Sequence, residues 1–117
     1  MNQEIKYKDF KSFYPYYLTE HSNVKNRILH FVGTLLLLVC FVSGIVTGKL
    51  VLFILIPFVG YGFAWVGHFF IEKNRPATFT YPFYSLASDF VMFWHMLTGQ
   101  IDTRLDEAKK HLSELSK

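Results

Sequence analysis

Two stretches decide the fold of this chain. Ile28 to Val46 reads ILHFVGTLLLLVCFVSGIV, and Leu50 to Phe70 reads LVLFILIPFVGYGFAWVGHFF. They are 19 and 21 residues long, and each carries one histidine (His30, His68) with no Asp, Glu, Lys or Arg. At ~1.5 Å of rise per residue, helices of this length match a hydrocarbon core of ~30 Å. Only Thr47-Gly48-Lys49 separates them, so they fold back on each other as an antiparallel hairpin. Pro57, Gly60, Gly62 and Gly67 would break a helix in water. In a bilayer, neighbouring helices re-satisfy the backbone and small residues allow close packing. A soluble bundle would have to cover two helices that are apolar all round, and 117 residues leave too little polar sequence for that.

The expected class is therefore all-α: a membrane-spanning hairpin in a single membrane domain, residues 1–117, with spans at about 28–46 and 50–70. Composition agrees, with 51% apolar residues, 19% aromatics, 13 Phe and 7 Tyr. The net charge of +3 is small and scattered, which argues against a nucleic-acid partner. Cys40 is the only cysteine, so neither an internal disulfide nor a multi-cysteine metal site can form. No apolar run opens the chain, so no cleavable leader is expected and insertion depends on the internal segments.

Outside the hairpin lies a third apolar segment, about 82–97, which is short for a span and contains Asp89 and His95. The ends at 5–18 and 102–115 read as amphipathic helices. Tyr7, Phe10, Phe13, Tyr14 and Tyr17 form the first stripe, which Pro15 interrupts, and Leu105, Ala108, Leu112 and Leu115 form the second. The positive charges favour a cytoplasmic N-terminus (Lys6, Lys8, Lys11, Lys25, Arg27), Lys73, Arg75 and tail, with Lys49 outside. A third segment that enters and returns satisfies that count. A third full span would put the tail on the wrong side.

The chemistry lies at one end of this hairpin. His30 stands 18 residues before Gly48 and His68 stands 20 after it. Antiparallel helices bring both to one depth, roughly 27–30 Å from the turn. His21 reaches them if the chain bends near Ser22-Asn23, and His95 joins if the third segment returns to that end. Glu72 follows His68 by four residues and shares its face in a continuing helix. Intramembrane ionisable groups are costly and mark function by default. Imidazole and carboxylate without thiolate suit Fe(II), Zn(II) or Mn(II). Asn26, Arg27 and Arg75 lie near the same surface and could hold an anionic head. Asp89 reads as a helix-packing hydrogen-bond partner, and His111 as solvent-facing.

These residues form a recognisable series: Phe13-Tyr14-Pro15, Glu20-His21-Ser22 to Asn26 and His30, then Gly67-His68 through Glu72 and Arg75-Pro76-Ala77. The series resembles the small membrane family of the fungal Fe(II)-dependent 2-hydroxy fatty acid dioxygenase of phytosphingosine breakdown, and most closely its short bacterial branch. The resemblance covers about residues 10 to 99. It implies an integral protein of the bacterial inner membrane that removes one carbon from a 2-hydroxy fatty acid, or a related hydroxylated lipid, using dioxygen and Fe(II). It places metal ligands at His21, His30 and His68, and the family's acid and arginine at Glu72 and Arg75. His95 is expected as a fourth ligand. The chain departs from the fungal members at Ala64, where they carry Gln, and at Trp94-His95. Two alternatives stand beside this reading. One is a membrane haem or electron-carrier protein with His30 and His68 as axial ligands. The other is a non-enzymatic membrane protein.

Overall fold

The computed structural model describes residues 7–115, and all regular structure among them is helical. Helix α1 spans Phe10–Thr19, α2 Val24–Thr47 and α3 Leu50–Val66; α3 runs on as a π-helical turn, Gly67–Glu72. A short 3-10 turn at Ala77–Phe79 precedes α4, Pro82–Leu97, and α5, Ile101–Leu115.

The all-α hairpin is the backbone of the molecule. Gly48 caps α2 in the left-handed region (φ 69°), its N–H bonded to the Gly44 carbonyl, and α3 starts two residues later. A β-branched or bulky residue would be strained there, which is why the break falls on glycine. The two helices, Val24–Thr47 and Leu50–Glu72, are long and apolar enough to cross a membrane. Their outer faces leave Val39, Val42, Ile45, Val51, Ile54 and Phe58 exposed. Water would penalise so continuous an apolar surface, whereas lipid would not.

The packed core sits at the open end of the hairpin. Phe13, Tyr17 and Leu18 of α1 are buried against Met92 of α4 and Leu105 and Ala108 of α5. Each large apolar side chain contributes ~1.5–3 kcal/mol by leaving water. Because α5 docks on α1, its apolar stripe faces this core.

Three expectations change. The N-terminal helix begins at Phe10 rather than at residue 5; residues 5 and 6 lie outside the described part. Asp9 stops it there, because its carboxylate accepts the Ser12 N–H at 2.9 Å as an N-cap. Pro15 does not interrupt α1. The one helical bond it removes frees the carbonyl of Lys11, an exposed residue that water can satisfy. Finally, the third apolar segment has no turn within it. It is one unbroken helix of 16 residues. It lies across the histidine end: Phe93 stacks on Phe31 of α2, while Tyr84 packs on Phe13 of α1.

Candidate metal centre

The histidines are carried by three separate pieces of chain. His21 sits in the bend between α1 and α2, where Asn23 caps α2 by accepting the Lys25 N–H at 2.8 Å. The bend is held from inside by Arg27. Its guanidinium is buried and donates to the carbonyls of His21 (2.8 Å) and Ser22 (2.9 Å). A buried cation needs such partners, and each bond to a charged donor is worth ~1.5–3 kcal/mol. His30 lies on the second turn of α2, and His68 on the π turn that ends the second hairpin helix. π turns within α-helices are frequent at functional sites.

The three converge. The ligand atoms of His21, His30 and His68 lie within 4.8 Å of one another, and all three residues are buried. Nε2 of His21 stands 3.1 Å from Nε2 of His30. The rings meet edge to face, with centroids 4.3, 4.4 and 4.9 Å apart.

The opposite nitrogens settle the tautomers of His21 and His68. Nδ1 of His21 faces the Tyr17 carbonyl at 2.6 Å, and a carbonyl only accepts, so Nδ1 carries the proton. Nδ1 of His68 is 2.7 Å from Oδ1 of Asn74, whose Nδ2 donates to the Glu20 carbonyl at 3.0 Å. That leaves Oδ1 as the acceptor and His68 Nδ1 as the donor. Nδ1 of His30 lies 3.6 Å from Oδ1 of Asp89, too long for a direct bond but on the side of a carboxylate. Asp89 in turn accepts the Tyr17 hydroxyl. Burial, with His30 and His68 in support, holds His21 well below the ordinary imidazole value. It is neutral, and its Nε2 bears a lone pair.

Each Nδ1 therefore faces an oxygen, and the Nε2 atoms are left to face one another. The bare Nε2 of His21 stands 3.1 Å from Nε2 of His30, close enough for the two to share one cation. Both are within reach of one ion at ~2.0–2.1 Å from each. Oxygen acceptors behind ligating imidazoles are the usual outer support of such sites. The donor set thus fits a divalent transition metal.

The other expected residues lie around this triad in different roles. His95 is not brought into it. Its Nδ1 takes the Tyr14 hydroxyl at 2.7 Å, and it lines a separate hollow between α1, α4 and α5. The reason is that α4 runs on past Asp89, the residue that faces His30, and leaves His95 nearly two turns further along. The Glu72 carboxylate accepts the Asn23 N–H at 2.6 Å and Nδ2 of Asn26 at 3.4 Å. It therefore caps the N-terminus of α2, where the helix dipole favours an anion. Arg75 is exposed, its guanidinium 5.1 Å over the Phe79 ring. Asn26 is buried against Gly67, and His111 is exposed on α5.

Sequence reading missed Asn74 and Tyr17 as supports of the site. Tyr17 could have been found, since it precedes His21 by four residues on the same helical stripe. Asn74 gives no periodic signal: it is positioned by the left-handed turn at Lys73 (φ 60°).

A small all-α protein with an apolar hairpin and a buried three-histidine centre at its open end is the class that this fold and site define. Within that class, the chain belongs to the Mpo1-like family, described as 2-hydroxy-palmitic acid dioxygenase Mpo1-like, which it matches over residues 7–101. No curated protein and no solved structure matches it significantly.

Proposed function

We propose that the protein is an iron-dependent dioxygenase of the membrane that shortens 2-hydroxy fatty acids, or a related hydroxylated lipid, by one carbon. The observation that carries this reading is the convergence of three buried imidazoles, two of them held at Nδ1 by an oxygen acceptor, in a chain of this family. His21, His30 and His68 hold Fe(II), which supplies dioxygen binding and a chelation point for the substrate's oxygens.

The electron balance needs no further partner. A 2-hydroxy acid and dioxygen give the shorter acid, carbon dioxide and water; the bond between the carboxyl carbon and the hydroxyl-bearing carbon breaks. The substrate gives up the four electrons that dioxygen takes. The chain's task is thus to hold, orient and shield. The Tyr17 carbonyl and Asn74 fix His21 and His68 in one tautomer, and Asp89 lies on the Nδ1 side of His30. Glu72 fixes the start of α2 and so the position of His30. Arg75 lies over Phe79, whose ring packs on Trp65 at the edge of the site, and attracts the carboxylate. The hairpin sits in the bilayer with the histidine end, Lys73, Arg75 and both termini on the cytoplasmic side. The acyl chain then never has to leave the lipid.

A haem protein fits poorly. The rings of His30 and His68 are 4.9 Å apart with His21 wedged against both, and the cavity beside them measures about 20 Å³. No macrocycle fits between them. A non-enzymatic membrane protein would have no need of three buried histidines with ligand atoms within 4.8 Å of one another.

The test is metal analysis of detergent-purified protein, wild type beside His68→Ala, with product analysis after aerobic incubation with 2-hydroxypalmitic acid. Wild type should carry about one iron per chain and release the acid one carbon shorter, and His68→Ala should do neither. Equal iron and product from both proteins would overturn the proposal.

A further inference from the structure

Beside the histidines lies a cavity of about 20 Å³, reached by His30, His68, Ala64, Trp65 and Ser85. One water or one ligand oxygen fills a space of roughly that size. Its outer wall is lipid-facing: Tyr61 and Trp65, stacked on each other at 5.7 Å, are 41% and 38% exposed on α3. Beyond them the outer face of α3 continues with Phe58, Ile54 and Val51, all exposed.

Ser85 is the unusual member of the lining. It is 4% exposed, and its hydroxyl has no hydrogen-bond partner. A helical serine with nothing else to do bonds back to the carbonyl four residues earlier. Ser85 makes no such bond: the Tyr81 carbonyl receives only its backbone N–H, and Oγ stays free. An unpaired buried hydroxyl is unfavourable unless something bound satisfies it.

We propose that Ser85 is a specificity-determining residue: its Oγ hydrogen-bonds the 2-hydroxyl of an acid held at the histidines, and the acyl chain leaves past the Tyr61–Trp65 stack onto the outer face of α3. The inference rests on the dioxygenase reading and names the subsite of that same site. A hydroxyl suits a hydroxyl, since each donates and accepts. A plain fatty acid would leave Oγ unpaired. Ser88, one turn further along α4, is an internal control. It is buried with an equally unpaired hydroxyl but does not line the cavity.

Trp65 reports on the subsite directly. Replacing the other tryptophan by Trp94→Phe leaves it as the single tryptophan, read by excitation at wavelengths where tyrosine does not absorb. The iron-loaded protein is titrated without oxygen, in detergent, with 2-hydroxypalmitic acid and with palmitic acid. The hydroxylated acid should bind about tenfold or more tighter. Ser85→Ala should reduce that preference about tenfold, leave palmitic acid binding unchanged, and keep its iron and a Tm at or above that of the parent. In turnover the same variant should show a raised KM for the hydroxylated acid. Ser85→Cys, of similar size but a weak donor, should lose preference likewise, so the result does not hang on one variant. A preference unchanged in Ser85→Ala, or lowered equally in Ser88→Ala, overturns the Ser85 assignment while leaving the dioxygenase reading intact. Absence of saturable binding of 2-hydroxypalmitic acid to the parent overturns both.

Discussion

Gly67→Ala should damage the metal site without touching a ligand. A Cβ at Gly67 would stand 2.9 Å from Cγ and 3.4 Å from Cα of Asn26, and closer still to Oδ1. Carbon atoms rest at ~3.5–4.0 Å, so the Cγ contact alone is short by roughly 0.6–1 Å. Asn26 cannot swing aside. It is fully buried, and its Nδ2 is tied to Glu72. The π turn that carries His68 must therefore move off α2, which carries His30. Overpacking of this kind costs ~1–3 kcal/mol. A shift near an ångström also exceeds the ~0.2 Å tolerance of a metal–ligand distance. We expect iron content to fall severalfold and thermal stability in detergent to drop. The decisive measurement is a double-mutant cycle with Asn26→Ala, which removes both the obstructing amide and an unpaired Oδ1. In that background Gly67→Ala should cost under ~0.5 kcal/mol and retain iron. Full iron in the single variant, or the same loss with and without Asn26, would refute the steric argument.

Other outcomes follow from the same geometry. Asn74→Ala removes the acceptor behind His68 and should weaken metal binding ~10–100-fold in a competition assay while the helical circular dichroism is kept. His95→Ala, which loses only the Tyr14 hydroxyl, should bind iron as wild type does; depletion there would return His95 to the ligand set. The stability of metal-free protein should fall with acid. His21 is held neutral when folded but takes a proton below ~6.5 once unfolded, so stability is level above that pH and declines beneath it. Melting curves from pH 8 to 5 test this, and a Tm that rises toward pH 5 would contradict it.

The hairpin was legible because its signals are long and uniform: two apolar runs, one turn, and a glycine where the left-handed cap requires it. The level of His30 and His68 followed from counting residues outward from Gly48. What counting could not reach was direction. His95 has the right distance along its segment for a returning path, but α4 is straight, so the residue lands beside Tyr14. Glu72 has the right spacing from His68, yet the backbone N–H at the start of α2 claims its carboxylate. Asn74 and Ser85 carry no period at all. Their roles come from where a turn and a crossing helix place them.

The distribution of the supporting oxygens explains why so small a chain keeps more than a hairpin. The hairpin alone supplies His30 and His68, two donors with nothing to orient them. The Tyr17 carbonyl comes from α1, Asp89 from α4 and Asn74 from the turn beyond the π segment. Each imidazole is thus oriented by an element other than its own helix. The three imidazoles converge with α1 and α4 docked across the open end and α5 packed on α1. A metal that binds this arrangement and not its parts adds to the stability of the docked state, by ~4 kcal/mol at a thousandfold excess over its dissociation constant. That coupling gives Arg27 its place in the scheme. By fixing the bend at His21 and Ser22, it joins the docking layer to the hairpin at the point where the third imidazole has to arrive.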